Sequence, residues 1–145
     1  MQSVVQDALR LVRHDPRTRG VQVQEDYDPE TPPVFVVEDH LMQVVLNLLL
    51  NAFDATREGG HVKLSVEQQP TTVDVHIDDD GPGVPVEQLD RIFEPFFTTK
   101  STGSGLGLPI THTIITQHGG TMSVSRAPLG GARFTVCLPR APNQA

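Results

Sequence analysis

Residues 61–68, HVKLSVEQ, and the segment TVDVHIDD that ends at Asp79 alternate apolar and polar side chains across a short polar turn, QPTT. A chain that reverses over so few residues can pair its strands only antiparallel, because a parallel pair needs a crossover of a dozen residues or more. The pattern returns near the end, where TMSVSRA and GARFTVCLP flank PLGG. Two hairpins argue against a parallel, doubly wound fold. VQVQEDY reads as a further half-buried strand and VFVV as another.

Helical periodicity fills the gaps between these strands. Val4, Val5, Ala8, Leu9, Leu11 and Val12 lie on one amphipathic stripe, which HDPRTRG ends. EDHLMQVVLNLLLNAFDATREGG is the longest helical pattern, opening on acidic residues and closing on Gly59-Gly60. VEQLDRIF suggests a short helix, and LPITHTIITQHGG another that ends at Gly119. Together these predict an α+β two-layer sandwich, with a mixed, mostly antiparallel sheet covered on one face by helices. The chain has 145 residues, the size of one domain, expected over 1–140 with a frayed, disordered tail at 141–145.

The net charge of -7 disfavours a broad nucleic-acid footprint, which requires clustered Lys and Arg. An anionic ligand would need local backbone donors or a metal ion to offset that acidity. The single cysteine, Cys137, excludes a disulfide within the chain and a cysteine-based zinc site, and reads as a buried strand thiol. No apolar run approaches a membrane span, and MQSVVQDALR lacks the pattern of a signal peptide, so a cytoplasmic location is expected.

Three segments carry chemistry. Asn47 and Asn51 are four apart on the long helix, amid leucines. Asparagine is a poor residue for a helix interior, so the pair needs a reason. Either the two bond each other or a neighbouring loop, or their carbonyl oxygens serve as hard, neutral ligands for Mg²⁺ beside phosphates. IDDDGPGVP closes a strand on three aspartates and turns on Gly-Pro-Gly. It reads as a solvated turn, or as a carboxylate accepting from a base amino group with glycines that admit a planar ring. Gly103, Gly105 and Gly107 then lead into a helix with Pro109 in its first turn. Such a loop offers free N–H groups and the positive end of a helix dipole to phosphates. The spacing is neither that of a P-loop nor that of a dinucleotide-binding fingerprint. Phe93, Phe96 and Phe97 would anchor the loop, and Thr98, Thr99 and Lys100 would add donors.

The order of these segments resembles the Bergerat ATP-binding fold across nearly the whole chain, and its wording resembles the catalytic domain of two-component sensor histidine kinases. VVLNLLLNAFDA is similar to the asparagine box, DDDGPGVP to the first glycine box, FEPFFTTK to the phenylalanine box and GSGLGLPI to the second glycine box. The resemblance implies that Asn47 and Asn51 hold Mg²⁺ and the phosphates of ATP. It implies that Asp79 accepts from the adenine amino group and that Gly81 and Gly83 shape the adenine pocket. Residues 93–104 would form a lid, mobile over 96–104 when empty, from which Thr98, Thr99 and Lys100 reach the nucleotide. Gly103, Gly105 and Gly107, with the N–H groups of Leu106 and Leu108, would cradle the phosphates, and Thr135 would reach adenine through water. Asn47, Asn51 and Lys100 are the candidate catalytic residues.

Hydrolysing members of that superfamily resemble one another in a glutamate at the position of Asn47. An amide cannot take a proton from water near neutral pH, which suits a domain that orients ATP for a nucleophile brought from elsewhere. Asp54 stands where many histidine kinases have a basic residue, leaving Arg57 or Lys100 to supply positive charge. The resemblance implies a dimerisation and histidine phosphotransfer domain upstream of residue 1, a response regulator as the next partner, and membrane attachment only through other parts of a full protein. The domain alone would be a monomer with little activity. His14 lies where Pro16 and Gly20 end the helix, so it reads as a surface histidine and not a phosphoacceptor. Two alternatives stand beside this: a stand-alone anti-sigma-type serine kinase, and a non-catalytic nucleotide-sensing module that binds a partner protein.

Overall fold

In this computed structural model, which describes residues 2–29, 32, 34, 36–56, 59–88, 92 and 107–140, the strands join one sheet. Strands β1 (Gln22–Tyr27), β2 (His61–Gln68), β3 (Thr72–Asp79), β4 (Thr121–Arg126) and β5 (Ala132–Pro139) lie in the order β1-β2-β3-β5-β4. β1 runs parallel to β2, and the other three pairings are antiparallel. The sheet is therefore mixed and mostly antiparallel, with both hairpins where the alternation predicts them.

Register sorts the side chains between two faces. Leu64 pairs with Ile77, Ile77 with Phe134 and Val75 with Val136, and all five are buried. The intervening residues Lys63, His76, Asp78, Arg133 and Thr135 occupy the opposite, polar face, because side chains alternate along a strand. Helices α1 (Gln2–Val12), α2 (Glu38–Ala55) and α3 (Gly107–Gln117) supply the second layer. Val5, Ala8 and Leu9 of α1, Val44, Leu48 and Phe53 of α2, and Ile115 of α3 join the apolar strand residues in a single core.

Three local expectations change. VFVV is not a strand among the described residues: Val34 makes one isolated bridge, to Arg140, and Val36 and Val37 are irregular. A short apolar run next to prolines carries no periodicity that separates strand from coil. Helix α2 ends at Ala55, not at Gly59-Gly60. Thr56 leaves the helix in an extended conformation and its hydroxyl donates to Ala52 O at 2.9 Å, so a side chain closes the helix before the glycines are reached. Gly59 adopts φ 86° in the turn beyond. Of VEQLDRIF, Val86–Gln88 form a 3-10 turn and Ile92 is buried, while the other residues of that expected helix lie outside the described residues. Cys137 lies half-buried on the polar face, where burial and the neighbouring Asp74 push its thiol pKa up, the direction of an unreactive thiol.

Candidate functional site

Asp78, Asp79 and Asp80 are consecutive and meet three different partners. Asp78, fully buried, accepts two hydrogen bonds from the Arg133 guanidinium at 2.7 and 2.8 Å on the polar face. Asp80 accepts from the His61 backbone N–H at 2.8 Å and so ties the end of β3 to the start of β2. Asp79 lies on the helix-covered face with only 1% of its surface exposed.

Among the described residues, the hydrogen bonds to Asp79 all come from backbone N–H groups. Its Oδ1 accepts from Gly81 N at 2.9 Å and Ala132 N at 3.1 Å, and its carbonyl accepts from Gly131 N at 3.2 Å. Both side-chain hydrogen bonds fall on Oδ1, which leaves Oδ2 to accept from something else. Burial raises the pKa of this carboxyl above its ordinary value. The two N–H groups oppose that rise, and the charges of Asp80 and Asp78 add to it. A buried carboxylate with a single uncommitted oxygen is a selective acceptor for one N–H donor, since anything that enters without a donor leaves it unpaired.

Glycines make this enclosure possible. A Cβ at Gly81 would overlap the Ala55 carbonyl at the end of α2, with Ala55 C at 3.1 Å. Gly83 has φ 78° and lies against Gly131, whose carbonyl carbon would be 3.6 Å from an added Cβ. The early end of α2 at Ala55 is thus what lets the Gly-Pro-Gly turn press against that helix.

Asn47 and Asn51 stand one turn apart on α2, both half-buried. Asn47 Nδ2 donates to Thr111 Oγ1 of α3 at 3.3 Å. Its partner is therefore a helix residue, neither Asn51 nor a loop. Helix α3 begins at Gly107, with Leu108 half-buried against the core. Lys100, Thr98, Thr99, Gly103, Gly105 and Leu106, together with the lid over 93–104, lie outside the described residues, as do Arg57 and the tail 141–145.

Thr135 is not part of this site. It pairs with His76 on the polar face, where its Oγ1 lies 2.9 Å from His76 Nδ1. Phe134 and Val136 point into the core, so alternation sends Thr135 to the opposite side from Asp79. The residues that do meet Asp79 from this strand and its turn are Gly131 and Ala132. The doubled glycine before β5 was their only sequence signal, and it reads equally well as an ordinary hairpin turn. Thr111 had no signal, because nothing local marks a helical threonine as the partner of an asparagine 64 positions away.

His14 is exposed in the turn after α1. Among the described residues no group of three or more His, Cys, Asp or Glu is placed to hold a metal ion, and no helix is long and apolar enough to cross a membrane.

Residues 36–142 match the family model described as histidine kinase-, DNA gyrase B- and HSP90-like ATPase. Sensor histidine kinase ZraS of Escherichia coli (strain K12) is 37% identical over 139 residues, which cover 96% of this chain and 30% of that protein. The chain thus spans about a third of the length of such relatives. The nucleotide-free catalytic domain of histidine kinase ThkA superposes with a TM-score of 0.88 at 33% identity, over 97% of this chain and 92% of that one. ThkA in complex with response regulator protein TrrA superposes with a TM-score of 0.84 at 30% identity, over 100% of this chain and 42% of that one.

Proposed function

The chain belongs to the histidine kinase-, DNA gyrase B- and HSP90-like ATPases, and from that membership we propose that it binds Mg-ATP and presents the γ-phosphoryl to a histidine on a separate dimerisation domain. The observation that carries this reading is Asp79: a buried carboxylate with Oδ1 committed to two backbone N–H groups and Oδ2 open. The residues present fit the nucleotide. Oδ2 accepts the exocyclic amino group of adenine, and Gly81 and Gly83 let the ring lie against backbone. Asn51 and Asn47 offer neutral carbonyl oxygens to Mg²⁺, which is held jointly with the phosphates. N–H groups of Gly107 and Leu108 in the first turn of α3 have no partner within that helix and face phosphate. Gly103, Gly105, Leu106, Thr98, Thr99 and Lys100 complete the phosphate side in this proposal.

When bound, ATP supplies the phosphoryl group. The chain's own residues position and stabilise charge, which is most of what phosphoryl transfer asks of a protein. Asn47 carries an amide in place of a general base, so these residues do not activate water, and the nucleophile arrives from outside. That ThkA is seen with a response regulator supports onward transfer to a regulator aspartate in a longer protein, with the dimerisation domain upstream of residue 1. In this proposal the unit is residues 1–140, working on the cytoplasmic side.

Calorimetric titration with a non-hydrolysable ATP analogue, with and without Mg²⁺, tests the binding. Wild-type chain should bind, Asp79→Asn should lose most affinity, and Asn51→Ala should lose the Mg²⁺ dependence. Absence of binding by the wild type would remove the proposal. Phosphate on a supplied histidine domain, and none on that domain with its acceptor histidine replaced, tests the transfer.

A further inference from the structure

Thr111 is a fully buried polar residue on α3, and α3 packs against α2. Its hydroxyl accepts the Asn47 amide N–H at 3.3 Å. An asparagine side chain has two different ends, and which end faces a ligand decides whether it donates or accepts. A metal ligand must present the oxygen. Whatever holds the NH₂ end therefore decides whether Asn47 can serve.

We propose that Thr111 is a positioning residue that fixes the Asn47 amide with its nitrogen toward α3 and its carbonyl oxygen toward Mg²⁺ and the phosphates. This rests on the reading of Asn47 given above. The chemistry of helical threonines supports the direction. Within α3, Thr116 gives its hydroxyl proton to the carbonyl four residues back at 2.8 Å, and Thr56 does the same from the C-cap of α2 at 2.9 Å. A threonine that does so keeps only lone pairs on its oxygen, so it receives an N–H and turns away a carbonyl. The same donation from Thr111 to the carbonyl of Gly107 would admit one amide orientation and reject the flipped one. A partner behind a metal ligand that sets its orientation commonly changes metal affinity as much as a weak ligand does. The bond also joins the asparagine helix to the helix that the glycine-rich segment enters, so the metal side and the phosphate side share one fixed register.

The test compares wild type, Thr111→Val, Thr111→Ser and Asn47→Ala in the full 145-residue chain. Valine keeps the branched shape and removes the hydroxyl; serine keeps the hydroxyl. Calorimetry with the ATP analogue should show Thr111→Val binding roughly tenfold more weakly in Mg²⁺, the worth of about one oriented hydrogen bond. Without Mg²⁺ its affinity should equal wild type, and Thr111→Ser should recover to within about threefold. A purely structural role would lower affinity equally with and without Mg²⁺, or lower the melting temperature instead. In the nucleotide-free chain, the Asn47 side-chain NH₂ resonances should shift in Thr111→Val and not in Thr111→Ser. Mg²⁺ dependence retained in Thr111→Val but lost in Asn47→Ala overturns the proposal alone. Mg²⁺ dependence retained in Asn47→Ala overturns the reading of Asn47, and the proposal falls with it.

Discussion

Gly131 lies directly behind Asp79: its N–H reaches the Asp79 carbonyl at 3.2 Å, and a Cβ on Gly131 would overlap Asp79 Oδ1. The same Cβ would come within 2.6 Å of Asp79 O and 2.7 Å of Gly81 N. Backbone thus packs against a buried carboxylate with no room for even one methyl group. The aspartate is held by the shape of the β4–β5 turn as much as by its own strand.

Gly131→Ala should therefore displace Asp79 or the Gly81 turn. Overpacking of a tight site costs about 1–3 kcal/mol, which lowers the melting temperature of a domain this size by several degrees. Affinity for the ATP analogue should fall more than tenfold, because Oδ2 moves with Oδ1. Thermal melts and calorimetry on the same samples check both outcomes. Gly130→Ala is the control: φ at Gly130 is 104° but a Cβ there meets nothing within 4 Å, so it should cost stability while leaving affinity for the folded fraction near wild type.

Asp79→Asn should separate stability from binding. Burial raises the folded-state pKa above the ordinary carboxyl value of 3.8. Between those two pKa values the folded chain holds more protons than the unfolded chain, so stability from this group falls as pH rises through that window and is flat above it. Ionised Asp79 is thus a cost at neutral pH, which the amide removes while its oxygen still accepts both N–H groups. Urea unfolding at pH 7 should find Asp79→Asn as stable as wild type or more so. A series from pH 3 to pH 7 should show the variant losing less stability than wild type over the window. Its NH₂ would face the adenine amino group donor to donor, and affinity should collapse.

Arg133→Ala should destabilise without acting on the nucleotide site. Asp78 is fully buried and would be left without its two charge-assisted hydrogen bonds. Loss of one partner of a buried pair costs up to about 3–5 kcal/mol, and the partly exposed Arg133 places this case near about 2–3 kcal/mol. Denaturant unfolding should show that loss, and nucleotide affinity of the folded fraction should stay within about threefold of wild type.

His118→Ala should loosen one end of the helix layer. Nδ1 lies 2.8 Å from Ile114 O and Nε2 accepts from Val37 N at 3.3 Å, an arrangement that requires the neutral ring with its proton on Nδ1. The second bond serves the start of α2, where Val37 provides no side-chain cap. His40 adds an edge-to-face contact at 5.4 Å. Two hydrogen bonds lost should cost about 1–2 kcal/mol, measured by denaturant unfolding. The nitrogen shifts of the wild-type ring should report the Nδ1–H tautomer.

Period-2 alternation in HVKLSVEQ, TVDVHIDD and GARFTVCLP determined the hairpins and the apolar face, because both are local consequences of strand geometry. The same alternation between Phe134 and Val136 also placed Thr135 on the polar face, and the family likeness alone suggested otherwise. The order of the Asn, Asp-Gly and Gly-rich segments determined the family. Tertiary structure decided the rest. Three adjacent aspartates look alike in sequence; register sends Asp78 to Arg133, the backbone at the start of β2 claims Asp80, and Asp79 turns to the helix-covered face, where the Gly81 and Ala132 N–H groups meet it. Gly131 and Thr111 matter through contacts 52 and 64 positions away. Propensity and periodicity report what a residue does to its own element, and such contacts exist only once the elements have packed.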